Sequence, residues 1–339
     1  MSTQTVEHRD GADARSAGDR KAVVARRREV AAGVVELTLT AAAADQEPFG
    51  PWESGAHIDL VLPSGAVRQY SLCGHPERSG EYVVAVLHEP EGRGGSAEVH
   101  DQLTEGTALA VRGPRNHFRL AAAQRYLFLA GGIGITPILA MAREASASGA
   151  PWTLIYGGRT RDSMAYTEEL AEIAALSGGD VQLVPQDELG HPDFAAAFSG
   201  LPTGTAVYAC GPEPMLQAAE ELSEQLLPAG TLHLERFGAK PQGSNTAAGD
   251  DTAFEVELAR SGRTLSVAAD RRLIDVVREV APHVPFSCEE GFCGSCETGV
   301  LDGIPDHRDQ VLTHDERAAN DTMMICVGRC LSKKLVLDL

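Results

Sequence analysis

Between Val23 and Val111 the apolar positions come in short β-rich runs, VVELTLT, HIDLVL, RQYSL, EYVVAVL and ALAVRG, separated by Gly, Pro or Ser. Runs of this kind predict the strands of an antiparallel β-barrel or sandwich, and a barrel is the expectation here. After Phe118 the rhythm becomes apolar strand, glycine turn and helix: RYLFLAGGIGITPILAMAREASASG, then WTLIYGGRTRDSMAYTEELAEIAAL, then TAVYACGPEPMLQAAEELSEQLL. That alternation predicts a parallel sheet flanked by helices. The stretch GAKPQGSNTAAGDD is aperiodic and rich in Gly, Ser, Asn and Pro, which marks an interdomain linker of intermediate stiffness. A new strand pattern follows, FEVEL, a turn at Ser261-Gly262, and TLSVA. The first residues mix Gly, Ala, Ser and both charges without periodicity and read as a solvated tail. The expected organisation is a tail over 1–20, a barrel over 21–120, an α/β unit over 121–238, a linker over 239–252 and a third domain over 253–339, with no internal repeat.

At 339 residues, 43% hydrophobic and 23% charged, the chain has the length and composition of two or three folded domains rather than of a disordered or fibrous protein. A net charge of −19 argues against nucleic acid or an anionic membrane as partner, because phosphate binding draws on clustered Lys and Arg. No apolar run reaches the roughly 18 residues of a membrane span, and the first residues contain no apolar core of a signal peptide, so a cytoplasmic location is expected. In that reducing setting seven cysteines, an odd number gathered towards one end, point to metal binding rather than to a disulfide framework.

Cys288, Cys293 and Cys296 stand in the spacing C-x4-C-x2-C, and Cys326 follows. This matches the plant-type ligand spacing for a 2Fe–2S cluster. Four thiolates can hold two irons and two sulfides, and Gly291 and Gly294 give the loop the freedom to turn its amides toward sulfur. A structural zinc site is the alternative, but zinc ribbons favour paired CxxC knuckles and only Cys293 and Cys296 form one. Cys330 could stand one helical turn past Cys326 as a spare ligand; the plainer reading is a buried thiol. Glu289 and Glu290 would give the cluster's rim a negative field for a basic docking partner, unless they are only a solvated loop.

The strand ending at Ala130 runs into Gly131-Gly132-Ile133-Gly134-Ile135, and Thr136-Pro137 are helix-start residues, Thr as the cap and Pro in the first turn. Glycines before a helix N-terminus let a pyrophosphate approach free amides. A second turn, Cys210-Gly211-Pro212, again follows a strand and leads into a helix. Both fall where an open α/β sheet binds its ligand, at the carboxyl ends of the strands, and together they indicate a nicotinamide dinucleotide. Arg68-Gln69-Tyr70-Ser71-Leu72 and Gly92-Arg93-Gly94-Gly95-Ser96 could be no more than a strand with an ordinary aromatic and a hairpin turn. Beside a two-electron donor and a one-electron cluster they read better as contacts to a flavin, which handles both kinds of transfer.

R-x-Y-S-L, G-R-G-G-S, G-G-I-G-I-T-P, C-G-P and C-x4-C-x2-C occur in the order found in the phthalate dioxygenase reductase and vanillate demethylase reductase family, which the chain resembles throughout except in its tail. The resemblance implies an FMN-binding antiparallel barrel of six strands, an NADH-binding α/β domain and a C-terminal β-grasp ferredoxin domain. It implies that Arg68, Tyr70, Ser71 and Leu72 meet the flavin, and that Arg93, Gly94, Gly95 and Ser96 hold its phosphate. Gly132, Gly134, Thr136, Pro137, Gly211 and Pro212 would bind the dinucleotide, Cys210 would lie near the nicotinamide without acting as a nucleophile, and Phe237 would cover the flavin unless it is a plain core residue. Ser71, Cys210 and Phe237 are thus the residues expected at the chemistry. Two departures stand out: Gly74, where the family often has Asn, and Cys330. The implied activity is transfer of electrons from NADH through FMN and the cluster to a terminal oxygenase, either Rieske-type or a cytochrome P450; an electron carrier or redox sensor without NADH turnover is the alternative. NADPH stays open because Arg159 and Arg161 follow the second α/β strand, where a 2′-phosphate would be read. His75, His88 and His117 are expected to be structural.

Overall fold

The structure is a computed structural model that describes residues 19–42, 47–92, 94–238, 251–286, 288–291 and 294–339. Two expected site residues, Arg93 and Cys293, and nearly all of the expected linker lie outside the described residues.

The first unit contains β1 (Arg20–Ala31), β2 (Val34–Ala41), β3 (His57–Val61), β4 (Val67–Ser71), β5 (Glu81–Leu87), helix α1 (Gly95–Gln102) and β6 (Ala108–Arg115). The strands form one antiparallel sheet in the order β4-β3-β6-β1-β2-β5. Its two edges meet through a bridge between Leu72 and Val84, and Cys73 N–H donates to Val83 O at 2.9 Å, which closes the sheet into a barrel. Alternation places Leu37, Leu39, Ile58, Leu60, Val84 and Val111 inside. The long strand β1 was not visible as a run of its own. Its register shifts after Val24 and after Glu29, and Arg26, Arg27 and Arg28 break the two-residue period that marks a strand. Asp19, expected in the tail, already pairs with Arg112 at 2.6 Å.

The second unit comprises β7 (Arg125–Gly131), α2 (Ile135–Ser148), β8 (Trp152–Gly158), α3 (Thr167–Ser177), β9 (Asp180–Pro185), α4 (Gln186–Leu189), α5 (Phe194–Ser199), β10 (Thr205–Cys210), α6 (Glu213–Leu226) and β11 (Leu232–Glu235). The sheet is parallel, ordered β11-β10-β7-β8-β9, so the chain direction across it reverses between β7 and β10. Helix α2 is buried along most of its length because it lies between this sheet and the barrel. Ser54 Oγ donates to Ala140 O at 3.0 Å, and Arg143 donates to the carbonyls of Cys73 at 2.6 Å and Gly74 at 2.5 Å. Val34, Cys73 and Ala85 of the barrel share one apolar core with Phe128, Ile138 and Tyr208. Gly74 fits this seam: a Cβ there would stand 3.0 Å from Val83 Cγ2, so the larger Asn would crowd the barrel wall.

The last unit is a β-grasp: β12 (Phe254–Leu258), β13 (Arg263–Val267), α7 (Leu273–Arg278), β14 (Glu297–Asp302), β15 (Pro305–Asp306), α8 (His314–Ala319), β16 (Thr322–Met324), β17 (Arg329–Cys330) and β18 (Lys334–Leu337). Its main sheet runs β13-β12-β18-β14-β16, with β18 parallel to β12. Leu273, Ile274, Val276 and Val277 of α7 pack on the sheet with Val256, Leu335 and Ile325. Cys330 is no spare ligand on a helical turn. It sits in β17 opposite Pro305, is buried in the core, and its Sγ donates to Ser332 O at 2.9 Å.

Candidate electron-transfer site

One cleft of about 530 Å³ is lined by all three units: His57, Arg68, Tyr70, Ser71, Gly95 and Ser96 from the barrel, Ile133, Thr136, Glu235 and Phe237 from the α/β unit, and Cys288 and Gln310 from the β-grasp. On the barrel side, β4 presents Arg68 to Ser71 to the cleft, and α1 begins beside them. Gly94 takes a left-handed φ of 80°, and no side chain caps the helix, so its first amides are left without a side-chain acceptor beside the cleft. A Cβ on Gly95 would strike the Arg68 side chain, 2.6 Å from its Cγ, so the guanidinium lies directly against the helix start. Ser96 Oγ accepts from Glu89 N–H at 3.0 Å and ties α1 to the loop after β5. Burial pushes the Tyr70 phenol up to about 12, against the opposing influence of Arg68, so the ring is neutral. Leu72 is different from its neighbours: its side chain is in the barrel core and its N–H is spent on Ala56 O at 2.8 Å, so it does not line the cleft.

On the α/β side the two glycine turns press against each other. A Cβ on Gly134 would overlap the Cys210 carbonyl, and one on Gly211 would lie 3.0 Å from Gly131 Cα. These glycines are set by the close approach of the β7 and β10 turns at the point where strand order reverses. Thr136 is not the helix cap. A 3₁₀ turn over Gly132–Gly134 runs straight into α2, so Gly134 is the cap, and the Thr136 hydroxyl donates instead to Ile133 O at 3.0 Å. Pro137 is buried in the first turn of α2. Cys210 is fully enclosed and does not reach the cleft surface; burial, then the nearby Glu235, hold its thiol well above its ordinary value, so it stays protonated. Phe237 is no core residue: it is 43% exposed on the cleft wall. At the end of β8, Arg161 is paired with Glu188 at 2.7 Å, while Arg159 is exposed beside it.

Glu235 carries chemistry that the sequence did not reveal. It ends β11, lines the cleft, and burial pushes its carboxyl up to about 8. Its Oε2 has no hydrogen-bond partner among the described residues. A lone carboxylate closing the otherwise uncharged strand LHLE was the available signal.

On the β-grasp side Cys288, Cys296 and Cys326 are buried, and the thiols of Cys288 and Cys296 are both within hydrogen-bonding reach of Cys326. The bond to Cys288 lowers the Cys326 thiol, but the bond to Cys296 and burial outweigh it and push it up to about 12. Three thiolates held this close repel one another unless a cation lies among them, which fits an iron–sulfur cluster. With Cys293 outside the described residues, these residues alone complete no metal-holding group. Glu290 N–H donates to Cys288 Sγ at 3.4 Å, the amide-to-sulfur contact expected of such a loop. Gly291 and Gly294 take φ of 74° and 71°. A Cβ on the first would lie 2.6 Å from Val327 and on the second 2.5 Å from His117, so both glycines also serve close packing. Glu289 does not give a free negative rim: it is 2.8 Å from Arg272 and 4.0 Å from Arg278, which offset its charge.

Residues 256–330 match the 2Fe-2S iron-sulfur cluster binding domain, and residues 128–221 match the oxidoreductase NAD-binding domain. Phthalate dioxygenase reductase of Burkholderia cepacia is 39% identical over 86% of this chain and 89% of its own length. The chain belongs to the phthalate dioxygenase reductase family. Another relative, the phenoxybenzoate dioxygenase subunit beta of Ectopseudomonas oleovorans, is 45% identical over 87% of this chain and 90% of its own. Among solved structures, an intact type IV self-sufficient cytochrome P450 monooxygenase superposes with a TM-score of 0.86 at 42% identity, covering 95% of this chain and 41% of that one. As a phthalate dioxygenase reductase homologue, the chain is an oxidoreductase whose cofactors are FMN, a 2Fe–2S cluster and NADH. Among the described residues no helix is long and apolar enough to cross a membrane.

Proposed function

We propose that the chain draws electrons from NADH and delivers them one at a time to a terminal oxygenase, either a Rieske-type dioxygenase or demethylase or a cytochrome P450. When bound, FMN supplies the exchange between two-electron transfer from NADH and one-electron transfer to the cluster. The observation that carries the reading is the single cleft on which the expected flavin strand, the nicotinamide turn and a cluster ligand all open. In it Arg68 and the amides of Gly95 and Ser96 hold the flavin phosphate, as a helix N-terminus beside a guanidinium suits a dianion; Arg93, expected to share this role, lies outside the described residues. Tyr70 and Ser71 line the ring, Phe237 shields it from water, and Leu72 supports the strand from the core. Gly132, Gly134, Thr136, Pro137, Gly211 and Pro212 form the dinucleotide turn, with the Cys210 thiol buried beneath as neutral packing. Cys288, Cys293, Cys296 and Cys326 bind the cluster. The protein's contribution is to place these groups and exclude water; no acid–base pair is required.

NADH is the expected donor in preference to NADPH, because Glu188 already engages Arg161 and leaves Arg159 alone to meet a 2′-phosphate. The cytoplasm is the proposed location, a reading supported by a cysteine cluster given over to a 2Fe–2S domain rather than to a disulfide framework. Anaerobic titration with NADH tests the function: flavin and cluster absorption bands both bleach if the reading holds. Cluster bands indifferent to NADH would identify a carrier instead, and a preparation without iron would refute the scheme. Reduced protein then tests candidate oxygenases directly, and KM for the two nucleotides tests the donor.

A further inference from the structure

We propose that Arg115 and His117 clamp the cluster-bearing loop onto the barrel and act as positioning residues for electron passage between flavin and cluster; this rests on the function proposed above. Arg115 ends β6 with its guanidinium fixed at its base, Nη2 lying 2.7 Å from the buried Asp59 carboxylate. The same Nη2 donates to Ser295 Oγ at 2.9 Å, and Ser295 stands directly before the ligand Cys296. His117 makes the second contact: its ring occupies the space above Gly294, where any Cβ would lie 2.5 Å from Nε2. Gly294 therefore serves two needs at once, its φ of 71° and the close seating of the imidazole.

Behind the clamp is a continuous packed path to the flavin strand. His117 stacks on His57 with centroids 5.8 Å apart, and His57 faces Ser71 across the β3–β4 pair. His57 is buried on the cleft wall, and its Nε2 has no hydrogen-bond partner among the described residues. Burial lowers both imidazoles, so the path is neutral and adds no repulsion to Arg115. Each electron gained by the cluster is one lost by the reduced flavin, and the transfer requires the β-grasp to be docked. A charge-assisted bond from a pre-fixed arginine, with a shape-matched imidazole next to it, gives that docked arrangement a defined register.

The test is anaerobic stopped-flow mixing of the holoprotein with NADH, following flavin and cluster bands separately, in Arg115→Gln, Ser295→Ala and the double variant. The flavin phase is expected to keep its rate. The cluster phase slows about tenfold in each single variant, the change that losing one charge-assisted bond makes in a docking equilibrium. The double variant is no slower than the slower single one, because both remove the same contact. Iron content, the cluster's electron paramagnetic resonance signal and its potential stay at wild-type values. Ser295→Ala keeps the test decisive if Arg115→Gln, which strands Asp59, fails to fold. A wild-type cluster phase in Ser295→Ala, multiplicative effects in the double variant, or slowing accompanied by a shifted potential would each overturn the clamp. Absence of NADH-driven flavin bleaching in the wild type would instead overturn the underlying function.

Discussion

Replacing Glu235 with Gln should stabilise the holoprotein at high pH and leave it unchanged at low pH. Glu235 is half-buried at the end of β11 with its Oε2 enclosed, and burial raises its folded-state value from 4.5 to about 8. Among the described residues no neighbouring cation relieves it: Arg236 is turned away to Glu213 at 3.0 Å and Glu220 at 2.5 Å, and the partner of Glu235 across the β10–β11 pair is the neutral Cys210. Below 4.5 the carboxyl is protonated whether the chain is folded or not, and it costs nothing. As pH rises toward 8 the unfolded chain releases the proton and the folded one keeps it, so the native state loses ground across that window; above 8 the loss is constant. The full gap corresponds to about 5 kcal/mol, of which water entering the open cleft should leave roughly 2 kcal/mol. The amide has the same shape and no charge to bury. In nucleotide-free holoprotein, the Tm of Glu235→Gln minus that of wild type should grow from near zero at pH 4 to about 5 °C at pH 8.5, read by differential scanning fluorimetry at constant ionic strength. A difference that is flat with pH, or that shrinks as pH rises, would show that this carboxyl is not held protonated by burial.

Cys326→Ser should abolish the cluster's absorption and its iron while NADH still bleaches the flavin, because the ligand lies in the β-grasp and the nicotinamide turn does not; loss of both signals would refute the division of labour. Gly134→Ala forces a methyl into the Cys210 carbonyl and should cost about 2 kcal/mol in stability and weaken NADH binding, measurable as a lower Tm and a higher KM with FMN retained. Arg143→Ala removes the bonds from α2 to Cys73 and Gly74 and the ion pair with Glu169, leaving three acceptors in the seam between barrel and α/β unit. A loss of about 3 kcal/mol is expected by chemical denaturation, with the cluster spectrum intact.

Features that depend on near neighbours along the chain could be read before any coordinates. The cysteine spacing is held within one loop, so the 2Fe–2S domain was legible from the chain alone, and the 3₁₀ turn into α2 shifted the expected cap by only two residues, from Thr136 to Gly134. Strand periods located β2 to β8, β10, β12 and β13; β1 was missed because its two register shifts erased its alternation, and β9, β11 and the β-grasp strands after β13 were not read as runs. The order of the motifs, rather than any one of them, carried the family.

How charges and cavities pair over long separations came from the packed fold alone. Glu289 meets Arg272, Glu235 closes β11 beneath a cleft, and Arg115 finds Ser295 although 180 positions separate them. Whether a carboxylate is a docking charge, a neutralised partner or a half-buried neutral acid depends on desolvation and on what lies within a few ångströms. Those quantities are fixed by strand register and by the way domains seat on one another, and no local period in the chain encodes them.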